Sequence, residues 1–266
     1  MPEEHAFNPE DFKAQDNPLN HIKKVIGVVS GKGGVGKSLT TSLLAVNAMR
    51  DGKKVAILDA DITGPSIPTI FGLTEKATGT QEEIYPVMSK QGIAAMSLNL
   101  LTDDPAEPVI WRGPVISGLI KQFWSNVVYG EIDEMYIDMP PGTGDVPLTV
   151  FQSLPVDAIV VVTSPQDLVS LIVEKALRMA TMMNVPVLGV VENMAYLSCP
   201  HCEEKIYPFG QSKKAIVDKY GIPVYDSLPI DPKLAEKCDQ GDIENYEGEY
   251  LRTMSEAIHG LLVRKK

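Results

Sequence analysis

Short apolar runs recur along the chain, each closed by residues that break it. The clearest are Val25-Ile26-Gly27-Val28-Val29, Val55-Ala56-Ile57-Leu58, Met135-Tyr136-Ile137, Ala158-Ile159-Val160-Val161-Val162 and Val187-Leu188-Gly189-Val190-Val191. Runs this short, rich in β-branched residues and without polar alternation, predict strands buried on both faces. Weaker candidates lie at 93–98 and 222–225. Between the runs, apolar positions return at helical spacing over 39–49, 115–128 and 168–183. A last stretch places Leu251, Met254, Ile258, Leu261 and Leu262 on one helical face. Strands alternating with helices predict an α/β fold, a doubly wound and largely parallel sheet flanked by helices and joined by right-handed crossovers. A single domain is expected over 23–266. Residues 1–22 are polar and charged and hold three prolines, which predicts a mobile N-terminal tail.

Charge and composition narrow the partners. The chain has 24 Lys+Arg against 35 Asp+Glu, a net charge of −11. That balance argues against a nucleic-acid partner held by bulk positive charge. No apolar run approaches the ~20 residues of a membrane span, so no membrane partner is expected. Three cysteines are too few for a secreted disulfide framework, and the N-terminus has no apolar signal core. A cytoplasmic location is the expectation.

In a doubly wound sheet, ligands gather at the carboxyl ends of the strands. After the first run comes Gly31-Lys32-Gly33-Gly34-Val35-Gly36-Lys37-Ser38, a match to G-x-x-x-x-G-K-[ST] between a strand and a helix. Its glycines let the backbone curl so that N–H groups point at phosphate oxygens, and the next helix offers its positive end. Lys37 would bridge the terminal phosphates and the Ser38 hydroxyl would hold Mg²⁺. Asp59 and Asp61 close the second strand, Asp59 suited to the Mg²⁺ shell and Asp61 to orienting the attacking water. Asp138 closes the third and is a further Mg²⁺ candidate. The following Met139-Pro140-Pro141-Gly142-Thr143-Gly144 can switch around a γ-phosphate, since its glycines permit two backbone states.

Cys199-Pro200-His201-Cys202 follows a fifth strand. On its own, a C-x-x-C is half an iron–sulfur site, half a zinc site, a redox dithiol or a pair of ordinary small residues. A thiolate-bound [4Fe–4S] cluster or Cys₄ zinc site needs four thiolates, and one chain offers a single close pair plus the isolated Cys238. Two chains about a two-fold axis supply four, which favours a metal centre bridging a homodimer. The redox reading is weaker, because a turn and not a long helix follows the pair.

Taken together these segments resemble the deviant phosphate-loop ATPases, which include partition, division-site and nitrogenase-iron-protein families and carry an extra lysine at the position of Lys32. Leu58-Asp59-Ala60-Asp61, Asp138-Met139-Pro140-Pro141-Gly142-Thr143-Gly144-Asp145, Val191-Glu192-Asn193-Met194 and the cysteine pair are similar to the Mrp/ApbC family of iron–sulfur cluster carriers. The resemblance implies a slow, Mg²⁺-dependent, homodimeric ATPase that binds ATP and a bridging [4Fe–4S] cluster through Cys199 and Cys202 and passes the cluster to apo iron–sulfur proteins. It also implies that Lys32 reaches the partner's nucleotide and that Asn193 contacts the adenine, with Pro229 and Asp231 on the other side of the base. Zn²⁺ stays open as a substitute, since four thiolates suit it too. A partition or positioning ATPase, or a nucleotide-gated scaffold, is the alternative reading.

Overall fold

The computed structural model describes residues 13–62, 64–80, 82–102, 113–165, 171–210 and 215–263. Strand β1 (His21–Ser30), buried from Lys24 onward, runs into the glycine loop and then α1 (Lys37–Arg50). There follow β2 (Val55–Asp59), α2 (Ile67–Phe71), a two-stranded ribbon of β3 (Thr78–Gly79) and β4 (Ile84–Tyr85), then β5 (Val87–Met88), β6 (Ala94–Met96) and α3 (Gly113–Ser125). Next come β7 (Glu131–Asp138), α4 (Asp145–Ser153), β8 (Ala158–Thr163), α5 (Leu171–Met182) and β9 (Val187–Ser198). The chain continues through β10 (Lys205–Ile206), α6 (Ala215–Tyr220), β11 (Val224–Pro229), α7 (Pro232–Asp239) and α8 (Arg252–His259).

The sheet order is β10-β9-β8-β1-β7-β2-β6-β5, with β11 also on β9. All pairings from β11 through β9, β8, β1, β7 and β2 to β6 are parallel. Among the described strands of this sheet, the edge strand β5 and the short β10 run antiparallel to their neighbours. Because β1 is central, with β7 and β2 to one side and β8 and β9 to the other, the loop after it opens into the crevice where strand order reverses. The parallel, doubly wound sheet expected from the apolar runs is the one observed.

Strand alternation divides the core. Val25 and Val29 face Ile120, Phe123, Val150 and Leu177 of α3, α4 and α5, while Ile26 and Val28 face Leu44, Ile67, Leu234 and Met254 on the other side. At the foot of the sheet, the Lys24 ammonium donates to the carbonyls of Ile258 (3.1 Å) and His259 (2.6 Å), fastening the end of α8. Among the described residues no helix is long and apolar enough to cross a membrane.

Two expectations need correction. Residues 13–22 were expected in a mobile tail, yet they are tied to the body. Ala14 N–H donates to the Ser153 carbonyl (2.8 Å), Trp124 Nε1 to Asp16 (2.9 Å) and Asn20 Nδ2 to the Val127 carbonyl (2.8 Å). Asn20 Oδ1 accepts from the N–H groups of Tyr129 (2.7 Å) and Gly130 (3.0 Å), and β1 already begins at His21. The remainder of that segment, residues 1–12, lies outside the described residues. At the other end, α8 stops at His259, so Leu262 falls beyond the helix and is 94% exposed instead of joining its apolar face.

Candidate functional site

The loop after β1 has the geometry of an anion cradle. Gly34 (φ 80°) and Gly36 (φ 88°) take left-handed backbone conformations. A Cβ on Gly33 or Gly34 would meet nothing within 4 Å, whereas one on Gly36 would lie 2.0 Å from Asn193 Nδ2. The helix begins immediately at Lys37, so its unpaired first-turn N–H groups face the same space.

Lys37, 6% exposed, points beneath this loop. Its Nζ lies 2.6 Å from Asp138 Oδ1 and 3.3 Å from Asp61 Oδ2. Ser38 Oγ donates to Asp138 Oδ2 (2.5 Å), and Thr41, one helical turn after Lys37, donates to Asp138 Oδ1 (3.2 Å). Asp59 and Asp138 are cross-strand partners in the β2–β7 ladder. Asp59 Oδ1 accepts from the Asp61 N–H (3.2 Å), while Oδ2 accepts from Ser97 Oγ (3.1 Å) and the Ile67 N–H (3.4 Å). Burial, with the charge of Asp138 adding to it, pushes the Asp59 carboxyl well above the usual carboxylate range. Burial also raises Asp138, against the pull of Lys37.

This donor set fits a phosphate-bound divalent cation. Ser38 and Asp138 present adjoining oxygens, and crowded buried carboxylates gain from added positive charge. Among the described residues no group of three or more His, Cys, Asp or Glu could hold a metal ion by itself. Mg²⁺ bound by one or two protein oxygens, with phosphate and water supplying the rest, is compatible with that.

The remaining candidates surround the cradle. Lys32 is exposed, and its carbonyl accepts from Ser30 Oγ (2.9 Å). Gly142, in the loop expected to switch, donates its N–H to the Ser30 carbonyl (2.9 Å). Asn193 is buried at the end of the β8-paired part of β9, and its Nδ2 donates to the Val35 carbonyl (3.0 Å). Pro229 ends β11 opposite Tyr196. Asp231 caps α7, where its Oδ1 accepts from the N–H groups of Lys233 (2.9 Å) and Leu234 (3.3 Å). Its Oδ2 accepts from the Tyr246 (2.5 Å) and Tyr250 (3.0 Å) hydroxyls, so this carboxylate is fully engaged within the chain.

Beyond Asn193 the backbone turns through Met194 (φ 58°), and β9 continues past the parallel ladder to form a hairpin with β10. Cys199 and Cys202 occupy its tip. Cys199 N–H donates to the Glu204 carbonyl (2.9 Å) and Glu203 N–H to the Cys199 carbonyl (2.9 Å), which closes the turn. Cys202 is exposed and Cys199 partly so. The backbone N–H groups of His201 and Cys202 and the Cys202 side chain hold the Cys199 thiol below its ordinary range. Cys238 sits elsewhere, on α7, where burial and then Asp239 push its thiol up to about 11.

Thr41, Ser97, Tyr246 and Tyr250 were not anticipated. Thr41 was accessible from helical spacing, one turn beyond Lys37, and Ser97 from its place at the end of a weak strand. Nothing local marks the two tyrosines, which reach Asp231 only through the packing of the C-terminal segment against α7.

The comparisons with known proteins agree with this geometry. The family model described as NUBPL iron-transfer P-loop NTPase matches residues 21–262. The iron-sulfur cluster carrier protein of Clostridium perfringens is 46% identical over 238 residues, covering 86% of this chain and 84% of that protein. A nucleotide-binding protein from Archaeoglobus fulgidus, solved in complex with ADP and with Co found, superposes with a TM-score of 0.80 at 44% identity, covering 92% of this chain and 96% of that one. The cell division ATPase MinD of Pyrococcus furiosus, at a TM-score of 0.55 and 20% identity over 89% of this chain and 96% of its own, shares the fold alone. A phosphate-loop cradle and a cysteine hairpin on one sheet edge thus meet a family match over nearly the whole chain, which belongs to the iron-transfer P-loop NTPases.

Proposed function

We propose that this chain is one protomer of a cytoplasmic, homodimeric ATPase that carries a [4Fe–4S] cluster and delivers it to apo iron–sulfur proteins. The observation that carries the proposal is the cysteine hairpin. It presents two neighbouring thiols to solvent, one held below its ordinary range, while no third metal-ligating side chain joins them among the described residues. The cluster, as cargo, needs four thiolates, and a second copy of the same hairpin completes the set.

The nucleotide supplies the drive. The cradle of Gly31, Gly33, Gly34, Val35 and Gly36 would hold the phosphates of ATP, and Lys37 would exchange Asp138 for the terminal phosphates. Ser38 and Asp138 would hold Mg²⁺, which neutralises charge on the phosphates; Asp59, engaged beneath them, fixes the Asp61 backbone. The Asp61 carboxylate, beside Lys37, would orient the attacking water. Lys32, exposed at the loop's rim, would reach the partner's nucleotide and offset charge developing in transfer. Asn193 and the turn from Pro229 to Asp231 would flank the adenine, Asp231 acting through the loop that its carboxylate fixes.

Anaerobic reconstitution with iron and sulfide tests the reading, run beside a Cys199→Ala/Cys202→Ala variant. The expected result is a thiolate-to-iron absorption band, one four-iron cluster per dimer, lost in the variant and transferable to an apo acceptor. Zinc that iron does not displace, or a cluster that never leaves, would falsify the carrier assignment.

A further inference from the structure

One arm of the cysteine hairpin is bonded to the phosphate loop, and the other lines a cavity with it. On the leading arm, Asn193 Nδ2 donates to the Val35 carbonyl (3.0 Å), and Asn193 Oδ1 accepts from the Met194 N–H (2.9 Å), so the amide is fixed at both ends. On the trailing arm, β10 leads through Tyr207 to Phe209, which is 49% exposed. Phe209 and Met194 line a cavity of about 130 Å³ whose other walls include Lys32, Gly34, Val35 and Pro165. The arms are also braced against each other. Leu197 pairs with Ile206 and Ser198 with Lys205, the Tyr196 and Tyr207 rings lie 6.1 Å apart, and the Lys205 ammonium sits 4.2 Å over the Tyr196 ring.

We propose that Asn193 and Phe209 are positioning residues that transmit occupancy of the phosphate loop to the geometry of Cys199 and Cys202. The inference rests on the function proposed above and supplies the physical route between its two sites. Val35 and Gly36 belong to the backbone that must curl round phosphates, so rotation of their peptide strains or breaks the bond from Asn193. The space at Gly36 leaves no slack, because the Asn193 amide already fills it. A change in the loop also reshapes the cavity that Phe209 lines. Since cross-strand pairing keeps the arms in register, displacement at their base reaches the tip as movement of one body.

The test uses cluster-free, full-length protein. Alkylation of Cys199 and Cys202 by iodoacetamide is followed peptide by peptide, with and without a non-hydrolysable ATP analogue and Mg²⁺, and Cys238 serves as an internal reference. In the wild type the analogue is expected to change the rate at the hairpin by about threefold or more, and at Cys238 little. Phe209→Ala, a substitution at a half-exposed site, brings the ratio close to one with analogue affinity and oligomeric state unchanged. Phe209→Leu restores it. A Phe209→Ala ratio equal to that of the wild type overturns the proposal, as does a ratio lost only together with analogue binding or dimerisation. Wild-type protein that takes up neither nucleotide nor cluster removes the underlying function; uptake of both with a ratio of one removes the relay alone.

Discussion

Lys37 and Asp138 stand 101 positions apart in the chain and 2.6 Å apart in space, a buried ion pair beneath the glycine loop. On the function proposed above, ATP would enter by displacing this carboxylate from Lys37. Lys37→Ala is expected to lower ATP affinity about a hundredfold or more. The stability loss should stay near about 3 kcal/mol, because Asp138, already shifted upward, can take a proton when its partner is gone. Titration with a fluorescent ATP analogue and denaturant melts check both parts.

Asp59 and Asp138 are lateral neighbours with different surroundings, so their amide variants should separate. Asp59 is bonded to two backbone N–H groups and Ser97, and burial favours its neutral form. Asp59→Asn should leave ATP turnover within about tenfold of the wild type. Asp138→Asn, which alters the oxygens facing Lys37 and Ser38, should cost about a hundredfold or more and weaken dependence on Mg²⁺. Steady-state phosphate release against Mg²⁺ concentration distinguishes them.

Asp231→Ala removes a helix cap and the acceptor of two tyrosine hydroxyls, and should destabilise by about 1–2 kcal/mol. Burial opposes its ionisation, but the hydrogen bonds from Tyr246, Leu234, Tyr250 and Lys233 outweigh burial and hold the carboxyl below its ordinary range. A group depressed on folding contributes fully above its unfolded value, about pH 4, and loses that contribution as pH falls through the folded value. The gap between wild-type and variant stability should accordingly narrow in acid. Urea melts at neutral pH and near pH 3 would show it, and a gap that widens in acid would contradict the assignment.

The two kinds of thiol should differ in their pH profiles. Cys199 is held below its usual range by backbone N–H groups, while Cys238 is pushed to about 11. Since the thiolate is the reactive form, Cys199 should be alkylated about a hundredfold faster than Cys238 at neutral pH, the gap closing as pH approaches the titration of Cys238. Peptide-resolved labelling rates across that range measure the difference.

The cysteine pair was legible from its own spacing, at the end of the extended β9. The places of the glycine loop, Asp59, Asp61 and Asp138 were legible because each closes an apolar run, and strand ends converge in this fold. Hydrophobic pattern carries that information by itself. It carries none about Asn17 and Asn20, whose amides both donate to the Val127 carbonyl far along the chain, so the docked segment before β1 read as a tail. The same limit hid the partner of Asn193. That amide meets Val35 only after β8 has been inserted between β1 and β9, and strand order is a property of the whole sheet.

The cysteine tip is held in register by two cross-strand positions, Lys205 with Ser198 and Ile206 with Leu197, whereas β1 is paired along both sides within the sheet. Opening the tip and unfolding the body are consequently separate events of unequal cost. Air oxidation or a protease nick at the hairpin is expected to spare the thermal transition of the body. A purified sample can then pass the ordinary checks of foldedness with both hairpin thiols lost, and quality control for this protein has to count reactive thiols.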